Sequence, residues 1–152
     1  MILVDANLLI YAVNLNAPHH DRARRWLQQT LSGTTSVGLP WTSLLAFVRI
    51  TTRPGVLANP MPVEEAIGFV DEWLAQPFVE SVLPGDGHWA ILRNLLRASG
   101  TAGNLTSDAH LAALAIERGA VICSADYDFR RFPGVEHVNP LEEHKPRPLG
   151  RG

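Results

Sequence analysis

Four aspartates stand where a parallel sheet would gather them. Asp5 follows the apolar run Met1–Val4, Asp108 opens an alanine-rich stretch, and Asp126 and Asp128 follow Val121-Ile122-Cys123-Ser124. If these segments converge, they form a pocket of carboxylates with no built-in cation, and such a pocket wants a divalent metal. Each acid alone has a plainer role. Asp108 in a first helical turn gains roughly 0.3–1 kcal/mol from the helix dipole, and Asp126 and Asp128 are ordinary turn residues. Asp5 is harder to explain that way, because a carboxylate directly after a buried strand is desolvated unless it is hydrogen-bonded or bound to a cation. Asn7, two residues on in the turn leading to Leu8-Leu9-Ile10-Tyr11, strengthens the chemical reading.

The elements that must position these acids can be read from periodicity and punctuation. Met1 to Val4 fits a buried parallel strand, and Leu8 to Val13 continues as a helical turn. His20 to Leu31 places Ala23, Trp26, Leu27 and Leu31 at helical spacing, with Gly33 marking the end. Ser36 to Leu39 is a second strand, followed by an apolar helix from Trp41 to Thr51 that Arg53-Pro54-Gly55 stops. Pro62, Glu64 and Glu65 start a helix buried through Ala66, Phe69, Val70, Trp73 and Leu74. Val79 to Val82 reads as a strand, Trp89 to Leu96 as a helix ending near Gly100, and Gly103-Asn104 as a loop. Asp108 to Arg118 is a helix stopped by Gly119, Val121 to Ser124 a strand, Asp126 to Phe132 an irregular or helical turn, and Glu136 to Val138 a last strand. Alternating strands and helices predict an α/β doubly wound parallel sheet. The functional crevice of such sheets lies beyond the carboxyl ends of the strands, where Asp5 and Asp126 both fall.

Composition frames this. The chain has 152 residues, 46% hydrophobic and 18% charged, which suits one α/β domain with a real core. That domain is expected over 1–143, with 144–152 a loose tail. No run approaches the roughly 18 apolar residues of a membrane span, and Met-Ile-Leu-Val lacks the basic start of a signal peptide, so a cytoplasmic location is the default. The single cysteine, Cys123, reads as a small buried hydrophobe. Of thirteen basic residues only Lys145 is a lysine. Arginine forks suit phosphates, and the clusters Arg22/Arg24/Arg25, Arg49/Arg53 and Arg130/Arg131 either flank the pocket and hold a nucleic-acid backbone or are solvated helix faces. Trp26, Trp41, Trp73 and Trp89 are either core or partly covered by a partner. There is no Walker-type loop, no zinc spacing among the six histidines and no GxSxG elbow.

The chain resembles the PIN-domain ribonucleases, and within them the VapC-type toxins of toxin–antitoxin pairs. The resemblance runs over nearly the whole length. It is carried by Leu3-Val4-Asp5-Ala6-Asn7-Leu8-Leu9-Ile10-Tyr11, by Gly38-Leu39-Pro40-Trp41 with Phe47-Val48-Arg49-Ile50, by Gly103-Asn104-Leu105 with Asp108 to Ala115, and by Ser124-Ala125-Asp126-Tyr127-Asp128-Phe129-Arg130-Arg131-Phe132. Each is weak alone, but the set in this order is specific.

The resemblance implies a PIN-like three-layer α/β fold, with a central, mostly parallel twisted sheet flanked by helices. It further implies a Mg²⁺- or Mn²⁺-dependent endoribonuclease that is usually a homodimer and is held inactive by a cognate VapB-type antitoxin. By position, Asp5, Asp108 and Asp126 look like the catalytic metal ligands, with Asp128 assisting. Asn7, Ser124 and Asn104 resemble the family's supporting polar residues, while Arg49, Arg53, Arg130 and Arg131 are candidates to grip RNA. One departure matters. Many PIN domains carry a glutamate on the helix that here spans Trp41 to Thr51, and Ala46 occupies the best-matching position, with no acid anywhere between Asp21 and Glu64. Two other readings follow from the residues: an RNA-binding module without turnover, and, more weakly, a phosphatase with Asp5 as nucleophile. The phosphatase chemistry usually wants an acid where Asn7 stands.

Overall fold

The computed structural model describes residues 1–100 and 102–142, and the tail expected at 144–152 lies outside them. Five strands, β1 (Ile2–Val4), β2 (Val37–Pro40), β3 (Val79–Val82), β4 (Val121–Cys123) and β5 (His137–Val138), form one sheet in the order β3-β2-β1-β4-β5. Every pairing is parallel. The chain therefore winds outward from β1 to β3, then returns to the other side of β1 to lay down β4 and β5. As the central strand, β1 is covered on both faces, which is why its sequence is an unbroken apolar run. Leu3 and Val4 are fully buried, in two different clusters.

Those clusters are the two cores of a three-layer molecule. One lies under α1 (Ala6–Val13), α2 (His20–Leu31), α3 (Trp41–Thr52) and α4 (Val63–Leu74). Phe47 is completely buried there, with its ring 4.7 Å from Trp73 and 6.4 Å from Phe69 in edge contacts. Burial of a side chain this size contributes about 1.5–3 kcal/mol. The other core lies under α5 (His88–Ser99) and α6 (Thr106–Arg118). Ala109, Leu111, Ala112, Ala113, Leu114 and Ala115 of α6 are all buried. Small alanines let this helix approach closely, and a polar chain ties it to α5: Glu117 Oε2 lies 2.9 Å from His88 Nδ1, and His88 Nε2 lies 2.8 Å from His110 Nδ1.

Gly38 shows how tightly the sheet is covered. A Cβ there would sit 2.4 Å from Leu3 Cδ2 and 2.7 Å from Val82 Cγ2, so only glycine lets the side chains of β1 and β3 close over β2. Element bounds differ from the sequence expectation in three informative places. Helix α1 begins at Ala6 because Asp5 caps it, its side chain accepting from the Ala6 amide at 2.7 Å. Strand β4 ends at Cys123 because the Ser124 carbonyl faces the His137 ring instead, 2.9 Å from Nε2. The segment around Gly103-Asn104, expected as a loop, is a 3₁₀ turn over Gly103–Leu105 anchored by buried Leu105.

Of the four tryptophans, Trp73 is buried and Trp26 half-buried, while Trp41 and Trp89 are 41% and 63% exposed. Among the described residues no helix is long and apolar enough to cross a membrane. Cys123 is buried and free, as expected of a small hydrophobe, and burial pushes its thiol up to about 11.

Candidate active site

Parallel pairing of β1 with β4 places Val4 opposite Cys123, so the next residues, Asp5 and Ser124, leave the sheet side by side. The Asp5 amide confirms the alignment by donating to the Cys123 carbonyl at 3.0 Å. Ser124 is fully buried and is the hub of the site. Its hydroxyl donates to Asp5 Oδ2 at 2.7 Å, and its oxygen accepts from Asn7 Nδ2 at 3.2 Å and from the Asp126 amide at 3.0 Å. Asn7 Oδ1 in turn accepts from the Ala125 amide at 3.4 Å. One serine and one asparagine thus fasten the loop after β4 to the helix start after β1.

Beyond Ser124 the chain enters a 3₁₀ turn, Tyr127–Arg131, capped by Asp126, whose Oδ1 accepts from the Asp128 amide at 2.9 Å. This cap turns both carboxylates toward the first turn of α6. Ligand oxygens of Asp108, Asp126 and Asp128 all lie within 4.8 Å of one another. Asp5 is set behind this trio, reaching Asp126 through Ser124 and sharing a cavity of about 550 Å³ with Asp108. Ala6, Thr42, Ser43, Ala46, Arg49 and Ser107 are among its other lining residues. A second cavity, of about 520 Å³, is lined by Leu27, Phe69 and Trp73 and holds no aspartate.

The electrostatics are those of a site with too much negative charge. Burial pushes the Asp108 carboxyl up, and Asp5, Asp126 and Asp128 push it further, to about 6. The Asp5 carboxyl is also raised. Burial is the main cause and Asp126 adds to it, outweighing the hydrogen bonds from Ser124 and Ala6 and the attraction of His137. Hard carboxylate oxygens crowded at this spacing suit a divalent cation of the Mg²⁺, Mn²⁺ or Ca²⁺ type and lack the nitrogen and sulfur donors that zinc prefers.

The PIN domain model matches residues 2–135. The chain belongs to the PIN-domain family. Among curated relatives, this PIN domain is 49% identical over 140 residues to "Ribonuclease VapC37" of Mycobacterium tuberculosis, covering 92% of this chain and 97% of that protein. It is 46% identical over 143 residues to "Ribonuclease VapC33" of the same species, covering 94% and 100%. In solved structures the fold recurs in the VapBC2 complex of Rickettsia felis bound to a promoter DNA fragment, with TM-score 0.66 and 18% identity over 91% of this chain and 98% of that one. It recurs also in VapC20 of M. tuberculosis, described as a sarcin–ricin loop cleaving toxin, with TM-score 0.64 and 17% identity over 86% and 93%.

Within this PIN domain, the sequence-expected residues divide. Asp5, Asn7, Ser124, Asp126 and Asp128 are joined by hydrogen bonds, and Asp108 meets them across the cavity. Asn104 is exposed in its 3₁₀ turn and makes no side-chain hydrogen bond to the acids. Arg49 lines the cavity, whereas Arg53, at the end of α3, does not. Arg131 Nε lies 3.4 Å from Asp128, and the Arg130 guanidinium lies over the Tyr127 ring. Ala46 is on the cavity wall, where the resemblance led to the expectation of a glutamate. Sequence reasoning missed His137, which holds the Ser124 carbonyl, and Tyr127, whose ring carries Arg130. The only sequence signals for them were a histidine in the last short strand and an aromatic between two aspartates.

Proposed function

We propose that this chain is a metal-dependent endoribonuclease acting in the cytoplasm as the toxin of a toxin–antitoxin pair, with RNA as substrate and a VapB-type antitoxin as its restraint. The observation that carries the reading is the meeting of Asp108, Asp126 and Asp128 within 4.8 Å, beside Asp5, in a PIN domain nearly half identical to proteins named as VapC ribonucleases. Asp5, Asp108, Asp126 and Asp128 would hold Mg²⁺ or Mn²⁺, which when bound offsets charge on a phosphate and makes water a better nucleophile.

The chain's own residues do the rest. Ser124 and the Ala6 amide fix the Asp5 carboxylate in one orientation. Asp126 fixes the Asp128 backbone. Arg49, exposed on the cavity wall, offers a fork to the RNA backbone, and exposed Arg53, Arg130 and Arg131 are further candidates to contact it. Asn7 holds Ser124, and Asn104 is left with at most a peripheral part. The protein acts as a homodimer in this reading, and exposed Trp41 and Trp89 are surface that a second subunit would cover.

The test is cleavage of structured RNAs by purified, antitoxin-free protein in Mg²⁺, Mn²⁺ or EDTA, beside Asp5→Asn. Cutting should require the metal and vanish in the variant while its circular dichroism is unchanged. Activity surviving in purified Asp5→Asn would overturn the assignment. RNA binding with no cutting in any metal would favour a binding module instead, the outcome for which Ala46 is the structural reason.

A further inference from the structure

Beside the acid cluster, planar side chains run in contact from the core to solvent. Phe129 is fully buried, and its ring lies 5.9 Å from that of half-buried His137, stacked at 25°. The His137 ring lies 5.7 Å from Tyr127 in an edge contact, and Tyr127 is 41% exposed. The Arg130 guanidinium is 4.5 Å above the Tyr127 ring centroid, and Arg130 is exposed. The tyrosine cannot drift, because its hydroxyl is held by Asn139 Nδ2 at 3.1 Å and by Glu142. Arg130 sits two residues from Asp128, yet among the described residues it forms no ion pair, while its neighbour Arg131 takes Asp128. A cation that passes over nearby carboxylates to lie flat on a fixed ring is placed as a planar surface more than as a charge.

From this we infer that Tyr127 and Arg130 form a nucleobase-stacking subsite, holding the base beside the phosphate positioned at the aspartates. The inference rests on the endoribonuclease reading and deepens it. Tyr127 and Arg130 belong to the same short 3₁₀ turn, Tyr127–Arg131, that carries Asp128 and is capped by Asp126, so the stacked pair and two of the acids share one rigid segment. Single-stranded RNA bases stack on aromatic rings and on arginine guanidinium planes. Such stacking is worth about 1–3 kcal/mol per base, or roughly fivefold in affinity at its lower end.

Salt dependence separates stacking from charge. Equilibrium binding of a short single-stranded oligoribonucleotide of mixed sequence would be titrated against NaCl for the full chain, Tyr127→Phe, Tyr127→Leu and Arg130→Lys. A phosphate contact is kept by lysine, and its loss lowers the slope of log affinity against log salt by about 0.7. A stacking surface is lost with lysine although the charge is kept. The expected result is that Arg130→Lys and Tyr127→Leu each bind about tenfold more weakly with unchanged slope, while Tyr127→Phe, which keeps the ring but gives up the bonds to Asn139 and Glu142, loses less affinity than Tyr127→Leu. Arg130→Lys binding with full affinity would overturn the subsite and leave Arg130 a phosphate contact. The endoribonuclease reading fails separately, if the unmodified chain cuts no RNA in any metal.

Discussion

Replacing Asp108 with asparagine should make the metal-free protein more stable while destroying its site. Asp108 carries a carboxyl raised from 3.8 to about 6 by burial and by three neighbouring acids. A raised acid stabilises the fold fully at pH values below 3.8, and that contribution disappears as pH rises through 6, because only the folded state must hold the anion in an unfavourable place. A shift of about two units corresponds to roughly 3 kcal/mol at neutral pH. Asp108 is only half-buried, so solvent screening cuts this to about half at most, and the lost attraction to the start of α6 removes roughly 0.3–1 kcal/mol more. A net gain of about 1 kcal/mol is left for Asp108→Asn, about 3 °C in Tm for a chain of this size. Thermal unfolding of both proteins in EDTA between pH 4 and 8 is the assay. The difference should be near zero at pH 4, where the carboxyl is protonated, and grow through pH 6. Mn²⁺ should reverse the ranking at pH 7.5, because it has more ligands in the unmodified chain. A difference in EDTA that did not change with pH, or an asparagine variant less stable at pH 8, would refute the electrostatic argument.

Other outcomes follow from the same geometry. Ser124→Ala leaves the Asp5 carboxylate and the Asp126 amide without their buried partner, which should cost about 2 kcal/mol, seen as a Tm lower by about 5 °C; an unchanged Tm would remove the serine from its central place. Ala46→Glu adds a carboxylate to the cavity wall and should tighten Mn²⁺ binding by about fivefold in calorimetry, the effect of roughly 1 kcal/mol from one close charge pair, whereas unchanged affinity would show that this wall faces away from the ion. Cys123, buried and with its thiol pushed up to about 11, should resist iodoacetamide at pH 8 until the protein is unfolded.

Much of this arrangement was legible in the residues. The bounds of His20–Leu31 and Val79–Val82 coincide with expectation because helical spacing and a β-rich run between turn formers are local signals. The approach of Asp5 to the Asp126 loop was legible too, since both follow strands of a parallel sheet at their carboxyl ends, and these two strands are neighbours. What could not be read is the wiring between distant side chains. Nothing near Ser124 announces that its hydroxyl serves Asp5, 119 positions away. Nothing near His137 announces a bond to the Ser124 carbonyl. Asn104, expected from its position to support the acids, is turned outward because Leu105 beside it is the residue the core takes.

The winding of the sheet also sets when the site comes into being. Residues up to Val82 supply β1, β2 and β3, so the first three neighbouring strands of the sheet exist as soon as that length of chain is made. Asp5 follows β1, the first strand in chain order, but its serine and the carboxylates of Asp126 and Asp128 come only after β4, the fourth. A chain still short of β4 holds Asp5 and Asp108 but lacks Ser124, Asp126 and Asp128. For a ribonuclease, this late completion leaves a chain still short of β4 without two of the three clustered carboxylates.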